Sequence, residues 1–231
     1  MTVFALPQQP VFPPVELADE DGLLALGGDL SPPRVLLAYS MGIFPWFNAG
    51  DPPLWWAPFP RPVITPDSFR LGRSLKKALK KSSFEVRMDT AFEEVLNACA
   101  TVGGRKEEGT WISDEMRACY LALHEAGYAH SIESWSEGRL VGGLYGLALG
   151  RCFFGESMFF LEANASKMAL VALMAELGQR GLVMVDCQMS SPHTDALGAI
   201  AVDREQYMRL LETGGVMPSV SPDPGPLFLS S

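Results

Sequence analysis

The sequence has no apolar segment long enough to cross a bilayer. A membrane-spanning helix needs about 20 largely apolar residues, whereas the longest apolar stretch, Leu140 to Phe160, contains Arg151 and five glycines. The N-terminal residues include several prolines and lack the basic start of a secretory signal. These absences predict a cytoplasmic protein that does not bind membranes.

Cysteine and histidine are also scarce, with four and three residues in a chain of 231. No two cysteines form a CxxC pair, and no histidine has the spacing of a metal ligand. The chain lacks GxSxG and HExxH motifs, and Gly-rich stretches such as 141–146 do not precede a helix in the way a phosphate-binding loop does. We therefore expect reduced thiols, no metal and no nucleotide cofactor.

Positive charge is in deficit overall but concentrated in one segment. The net charge is −9, yet Arg61 to Arg87 carry eight basic and two acidic residues. The pattern predicts a helix over Gly72 to Lys81, with leucines on one face and cations on another. The cations that share a face are Arg73, Lys76, Lys77 and Lys80. This face indicates either contact with nucleic acid phosphates or an ordinary solvated surface.

Three parts of the chain differ in composition. Residues 1–62 are rich in Pro, Gly and Trp, residues 63–213 alternate strand-like and helix-like stretches, and residues 214–231 are predicted to be an irregular tail. The middle part includes a hairpin signal around Glu137 and Gly138, followed by a strand, a helix and a further strand. This order predicts an α+β fold whose mixed sheet is flanked by helices.

Polar residues interrupt two strands that are otherwise apolar. Leu182 to Gln188 is predicted to be a central strand, and its alternation places Asp186 and Gln188 on one face. Such a buried acid and amide indicate either a ligand site or a structural hydrogen-bond network. Glu156, within the apolar stretch 153–160, faces either water or a pocket.

Nine short motifs then occur in a fixed order along the chain. They begin with the glycine-containing stretch 22–32 and end with Asp186-Cys-Gln. The full set is GLLALGGDLSP, GIFPWF, LWWAP, GTWI, AHSIE, LVGGLYG, GESMF, NASK and DCQ. Together they resemble the bacterial leucyl/phenylalanyl-tRNA–protein transferase family from about Phe12 to Leu211.

The resemblance implies an activity and a fold. Members move Leu, Phe or Met from aminoacyl-tRNA to proteins with N-terminal Arg or Lys, which marks those proteins for degradation. They have a small N-terminal α/β domain and a C-terminal domain like that of GNAT acetyltransferases. No pyrophosphate-binding loop of the kind that holds CoA is visible between Phe160 and Lys167, which favours tRNA as the acyl donor. We expect the enzyme to act as a monomer.

Residue roles follow from the same resemblance. It implies a catalytic relay in which Asp186 polarises Gln188, with Glu156 in the same site. Aminolysis of an ester needs mainly orientation of the amine and stabilisation of the oxyanion, which suits a carboxamide. The remaining expected contacts are Trp46 and Trp111 beside the terminal adenosine, Leu144 and Met158 in an apolar aminoacyl pocket, and Arg73, Lys76, Lys77, Lys80 and Lys81 on the tRNA acceptor stem.

The sequence departs from the family at a few positions, and two other functions remain open. Leu144 stands where relatives often have Met, which bears on donor preference, and Ser191 stands where Asn is expected. Ser134 replaces an apolar residue. The alternatives are an acyltransferase that uses CoA or another donor, and a non-catalytic RNA-binding module that uses the basic helix and the tryptophans.

Overall fold

The computed structural model describes residues 3–102 and 112–228, which form two β-sheets and the helices around them. The strands are β1 (Phe4–Leu6), β2 (Leu23–Gly27), β3 (Phe44–Pro45), β4 (Leu54–Trp56), β5 (Arg61–Ile64), β6 (Glu85–Met88), β7 (Ala129–Ser136), β8 (Arg139–Leu149), β9 (Cys152–Phe160), β10 (Met184–Asp186) and β11 (Ile200–Val202). The α-helices are α1 (Pro32–Ser40), α2 (Arg73–Lys81), α3 (Phe92–Thr101), α4 (Asp114–Glu125), α5 (Ala165–Gln179), α6 (Pro192–Ala196) and α7 (Arg204–Thr213), and a 3-10 turn covers Val15–Leu17.

The smaller sheet has four strands in the order β1-β2-β4-β3. The strands β1 and β2 are parallel, and the other neighbours are antiparallel. Trp55 is fully buried in this sheet, where its indole N–H donates to the Gly27 carbonyl at 2.9 Å and its ring meets Phe12 edge-on. Trp55 of this proline- and tryptophan-rich segment therefore belongs to the core.

The larger sheet has seven strands in the order β11-β5-β10-β9-β8-β7-β6. Only β9 and β10 pair in parallel, and α5 connects them. All other neighbours in this sheet are antiparallel. The α+β class and the mixed sheet flanked by helices are thus confirmed. Across the two described ranges, no helix combines the length and apolar character needed to cross a membrane.

The hairpin β7–β8 forms where the sequence predicts it. Its turn residues Glu137 and Gly138 have φ values of 51° and 73°. Two successive positive φ angles are what a two-residue turn of type I′ requires, and this turn matches the twist of the strands that it joins. The hairpin thereby sets the register between β7 and β8, in which Ile132 lies opposite Leu144.

The core is continuous between the two sheets. One cluster of buried side chains includes Val35 and Trp55 from the smaller sheet region and Val95 and Tyr120 from helices on the larger one. The predicted boundary at residue 62 falls within β5. The boundaries 1–62, 63–213 and 214–231 therefore stay predictions.

The C-terminal segment has neither helix nor strand in its described part, residues 214–228, but it is anchored. Leu227 is fully buried, and the Phe228 ring stacks on His130 with centroids 3.8 Å apart. Tyr128 donates a hydrogen bond to the Pro222 carbonyl at 2.9 Å. These contacts hold the segment against β7 and the residues before it.

Candidate active site

A cavity of about 870 Å³ lies at the junction of β8, β9, β10 and the start of α5. Five of the residues predicted for the site line it: Trp46, Leu144, Glu156, Met158 and Asp186. Gln188 is adjacent, because its side chain bonds to Glu156. Trp111 lies outside the described residues. The separate sequence motifs therefore meet in one place.

Glu156 occupies a β-bulge. In the pairing of β8 with β9, Tyr145 faces Ser157 and Gly146 faces Gly155, so Glu156 has no opposite residue. A bulge turns the extra residue away from the regular alternation of the strand. A Cβ at Gly146 would come within 2.1 Å of the Phe154 carbonyl oxygen, so only glycine fits opposite this bulge. The bulge is what aims the carboxyl group of Glu156 at its partners.

Three side chains donate hydrogen bonds to the Glu156 carboxylate. Its Oε1 accepts from the Tyr39 hydroxyl at 2.6 Å and from Nε2 of Gln188 at 2.8 Å. Its Oε2 accepts from the Tyr120 hydroxyl at 2.7 Å. Removal from water raises the pKa of Glu156 to about 7, although these three donors act in the opposite direction. Glu156 can therefore both accept and release a proton near neutral pH.

Asp186 is fully buried and paired with Arg61, which is also fully buried. Nε of Arg61 lies 2.9 Å from Oδ1, and Nη2 lies 3.0 Å from Oδ2. The Tyr207 hydroxyl donates to Oδ2 at 2.7 Å. Burial lowers the pKa of the guanidinium, but the Asp186 carboxylate more than offsets this and raises it overall. The Asp186 carboxylate is thus held from two sides.

The predicted contact between Asp186 and the side-chain amide of Gln188 is wrong, because that amide donates to Glu156. The strand β10 ends at Asp186, and Gln188 has a φ of 60°, so strand alternation does not extend to it. Oδ1 of Asp186 accepts instead from the main-chain N–H of Gln188 at 2.8 Å. Asp186 therefore fixes the backbone of Gln188, and Glu156 fixes its side chain.

The apolar wall of the cavity is formed mainly by the larger sheet and α5. Leu144 and Met158 are opposite each other on β8 and β9. The other apolar lining residues include Ile64, Phe153, Leu170 and Val185. Cys187 also lines the cavity, but burial raises the pKa of its thiol to about 12, so it is not a ready nucleophile at neutral pH.

Trp46 stands at the mouth of the cavity, with 46% of its surface exposed. The indole N–H of Trp56 donates to the Trp46 carbonyl at 2.7 Å, and the two rings lie 5.9 Å apart. An exposed indole that is held by its neighbour offers a ready surface for stacking. Trp55, by contrast, is part of the core.

Polar residues also line the cavity. Lys167 lies in the first turn of α5, and His193 and Thr194 lie in α6. Burial and the nearby lysine lower the pKa of His193, so its ring is neutral at pH 7. Ser191, the departure from the family pattern, accepts a hydrogen bond from the Thr194 N–H and caps α6. Asparagine is an equally good cap, so the helix start tolerates either residue.

The basic helix α2 forms as predicted over Arg73–Lys81. Leu79 is buried, and Leu71 and Leu75 pack against the apolar cluster that also contains Leu144. The cations Arg73, Lys76, Lys77, Lys80 and Lys81 are all exposed, and none forms an ion pair within the described ranges. The helix thus presents free positive charge while its leucines anchor it beside the pocket.

Sequence reasoning missed four residues that hold the site together. They are Tyr39 on α1, Arg61 on β5, Tyr120 on α4 and Tyr207 on α7. Tyr39 and Tyr120 lie 117 and 36 positions from Glu156 along the chain. Arg61 lies 125 positions from Asp186. Tyr39 and Tyr120 follow helical patterns that predict only core packing, so no sequence signal identifies them. In the described part of the chain, no cluster of three His, Cys, Asp or Glu residues could hold a metal.

Comparison with known proteins gives a consistent result. The family model described as leucyl/phenylalanyl-tRNA protein transferase matches residues 63–212, and the model of its N-terminal domain matches residues 28–58. A leucyl/phenylalanyl-tRNA–protein transferase of Syntrophotalea carbinolica is 53% identical over 225 residues, covering 97% of this chain and 98% of that protein. One of Aromatoleum aromaticum is 55% identical over 204 residues, covering 86% of this chain and 84% of that protein.

Similarity to solved structures is weak. The structure of AAC(6')-Iy with a CoA bisubstrate analogue has 14% sequence identity and a TM-score of 0.36, covering 60% of this chain and 93% of that one. A TM-score this low carries no argument, so the predicted likeness to GNAT acetyltransferases stays a prediction.

Proposed function

The chain belongs to the leucyl/phenylalanyl-tRNA protein transferase family, and from this premise we propose that it transfers Leu or Phe from tRNA to the α-amine of an acceptor protein. The acceptor begins with Arg or Lys, and the added residue marks it for degradation. Met is a further donor residue. The observation that carries the proposal is a carboxylate with a pKa of about 7, which faces an apolar cavity beside an exposed indole.

The reaction is an ester aminolysis. The amine nitrogen attacks the ester carbonyl carbon, an oxyanion forms, and the bond to the 3′ oxygen of the tRNA breaks as the peptide bond is made. The amine loses one proton, and the leaving 3′ oxygen gains one. A protein α-amine has a pKa near 8, so a base of pKa about 7 is well matched to it.

Glu156 is the residue that we assign to proton transfer. It lines the cavity, and its pKa of about 7 lies near the working pH. A carboxylate at this place also attracts the positive charge of an arriving N-terminal Arg or Lys. Gln188 remains next to it and offers an amide to the amine or to the oxyanion.

Asp186 has a positioning role in this proposal rather than a direct one. Its oxygens are occupied by Arg61, Tyr207 and the Gln188 main chain. It therefore holds Gln188 in the left-handed backbone conformation that brings the amide to Glu156. Loss of Asp186 would disturb catalysis through Gln188.

The two walls of the cavity suit the two parts of the donor. The Leu144 and Met158 side receives an unbranched or γ-branched apolar side chain, which describes Leu, Phe and Met. Trp46 stacks on the terminal adenine, and Trp111 is expected to act with it. The exposed cations of α2 bind the tRNA through phosphates, so several tRNAs can serve.

This assignment also sets the partners and the place of action. The donor is a charged tRNA and the acceptor is a polypeptide, and we propose that a monomer carries the whole site. Aminoacyl-tRNA is made and used in the cytoplasm, so the enzyme acts there.

The test is a transfer assay with labelled Phe-tRNA and three peptides that differ only in an N-terminal Arg, Lys or Ala. We expect label on the Arg and Lys peptides alone, and loss of transfer in Glu156→Gln. Binding of deacylated tRNA without transfer would favour a non-catalytic RNA-binding module. A rise in melting temperature with acetyl-CoA, with no transfer from tRNA, would favour a CoA-dependent acyltransferase.

A further inference from the structure

Glu156, Tyr39 and Tyr120 form a closed ring of oxygen atoms. The two tyrosine hydroxyls lie 3.0 Å from each other, and each lies within 2.7 Å of a different oxygen of the carboxylate. Both tyrosines are fully buried, and they come from helices α1 and α4. Two donors would suffice to hold a carboxylate, so the contact between the hydroxyls needs a separate explanation.

The ring satisfies the ionised carboxylate. In that state Tyr39 donates to Oε1 and Tyr120 donates to Oε2, and Gln188 adds a second bond to Oε1. Each hydroxyl has one hydrogen, and both hydrogens point at the carboxylate. No hydrogen then lies between the two hydroxyl oxygens. Every buried donor then has an acceptor.

The same ring satisfies the protonated carboxyl group. Oε1 already accepts from Tyr39 and from the Gln188 amide, which cannot turn into an acceptor at its nitrogen. Among the described residues Oε2 has Tyr120 as its only partner, so the proton is placed on Oε2. Glu156 then donates to Tyr120, Tyr120 rotates its hydrogen toward Tyr39, and Tyr39 continues to donate to Oε1. No group is left unpaired.

We propose that Tyr39 and Tyr120 are positioning residues that let Glu156 take up and release a proton on Oε2 by rotating one tyrosine O–H bond. The inference rests on the proposed function, in which Glu156 is the group that accepts the proton of the amine. No covalent bond to tyrosine changes, and the net transfer is one proton from the amine to Glu156. A buried carboxyl group without this ring would lose a hydrogen bond in one of its two states.

The other ionisable groups around the ring do not replace it. Those that influence Glu156 or its two tyrosines are Asp186 on β10, Arg61 on β5, Tyr145 on β8 and Cys119 on α4. Asp186 and Arg61 neutralise each other. Burial raises the pKa of the Cys119 thiol to about 12, so this thiol stays uncharged at neutral pH. Burial also raises the pKa of Tyr120, within the ring itself, well above its ordinary value.

The experiment compares pH profiles of kcat/KM for transfer in Tyr39→Phe, Tyr120→Phe and wild type. Each Phe variant removes a hydrogen bond from both states of Glu156, but the bond to the ionised carboxylate is the stronger one, so the acid limb should move up by roughly one pH unit. The KM for the acceptor peptide should change little. Tyr128→Phe is the matched control, since it removes a similar hydrogen bond, to Pro222, at a place away from Glu156. This control should keep the wild-type profile.

Replacement of Tyr120 by 3-fluorotyrosine keeps the ring and makes the hydroxyl a better donor, so the limb should move in the opposite direction. The carboxyl signal of Glu156, assigned in ¹³C-glutamate-labelled protein by its absence in Glu156→Gln, gives the same midpoint without substrate. Failure of the wild type to transfer would refute the proposed function but leave this titration readable. Unchanged midpoints in folded Tyr120→Phe and in the fluorinated protein would overturn the inference.

Discussion

The substitution Asp186→Asn separates the positioning role of this residue from a direct chemical one. Two donors lie at Oδ1, from Arg61 and the Gln188 main chain, and two at Oδ2, from Arg61 and Tyr207. An asparagine amide has one NH₂ group, so it must face at least one of these donors in either orientation. Arg61 also keeps its positive charge with no opposite charge beside it.

The size of the effect follows from the burial of both partners. Neither side chain of the Arg61–Asp186 pair is exposed, and removing one charge of a buried pair costs about 3–5 kcal/mol. For a protein of this size that loss lowers the melting temperature by roughly 6–20 °C. The matched control is Asp195→Asn, which should cost less than about 0.5 kcal/mol. Asp195 is exposed, and within the described ranges its side chain accepts a hydrogen bond from Ser190 alone.

The assay is urea unfolding followed by circular dichroism at pH 7, together with the Phe transfer rate on the Arg peptide. We expect Asp186→Asn to lose stability and transfer together. An unfolding free energy within about 1 kcal/mol of wild type would refute the argument from the buried pair. If transfer were nonetheless abolished in that stable variant, Asp186 would act in the chemistry itself, as the relay predicted from the sequence requires.

Three further predictions follow from the site. Because the pKa of Glu156 is raised to about 7, the folded state binds this proton more tightly than the unfolded chain does. The unfolding free energy of wild type, relative to that of Glu156→Gln, should therefore fall as the pH rises from 4.5 through 7, which urea unfolding at several pH values would measure. Trp46→Ala should weaken aminoacyl-tRNA binding, measured by filter retention, by about 5- to 160-fold if the indole stacks on a base, whereas Trp46→Phe should recover much of it. Lys76→Gln with Lys77→Gln should reduce the slope of log affinity for tRNA against log salt by roughly one to two, and an unchanged slope would show that α2 is not on the tRNA.

The sequence predicts those parts of the fold that depend on neighbouring residues. The β7–β8 turn needs positive φ at Glu137 and Gly138, and the basic helix needs only the spacing of its leucines and lysines. Both are confirmed. The prediction of the mixed sheet also rests on local order, since a strand, a helix and a strand in succession favour a parallel pair.

The site itself depends on contacts that the sequence does not encode locally. A bulge at Glu156 is a property of two paired strands, and nothing in the residues of β9 alone indicates it. The end of β10 at Asp186 comes from the left-handed backbone at Gln188, which periodicity reads as continued strand. The motifs therefore locate Glu156 and Asp186 in the sequence, whereas the hydrogen bonds that connect the site residues are visible only in the structure.

The origin of Tyr39 and Trp46 has a consequence for any attempt to shorten the protein. Both precede residue 63, where the match to the principal family model begins, yet one bonds to Glu156 and the other frames the entrance to its cavity. A fragment that begins at residue 63 would retain Glu156 but would leave its Oε1 with Gln188 alone as a donor, and it would lack Trp46 at the cavity entrance. Division of the chain at that point would yield two unequal, inactive fragments, and the activity regained on mixing them would report how tightly they associate.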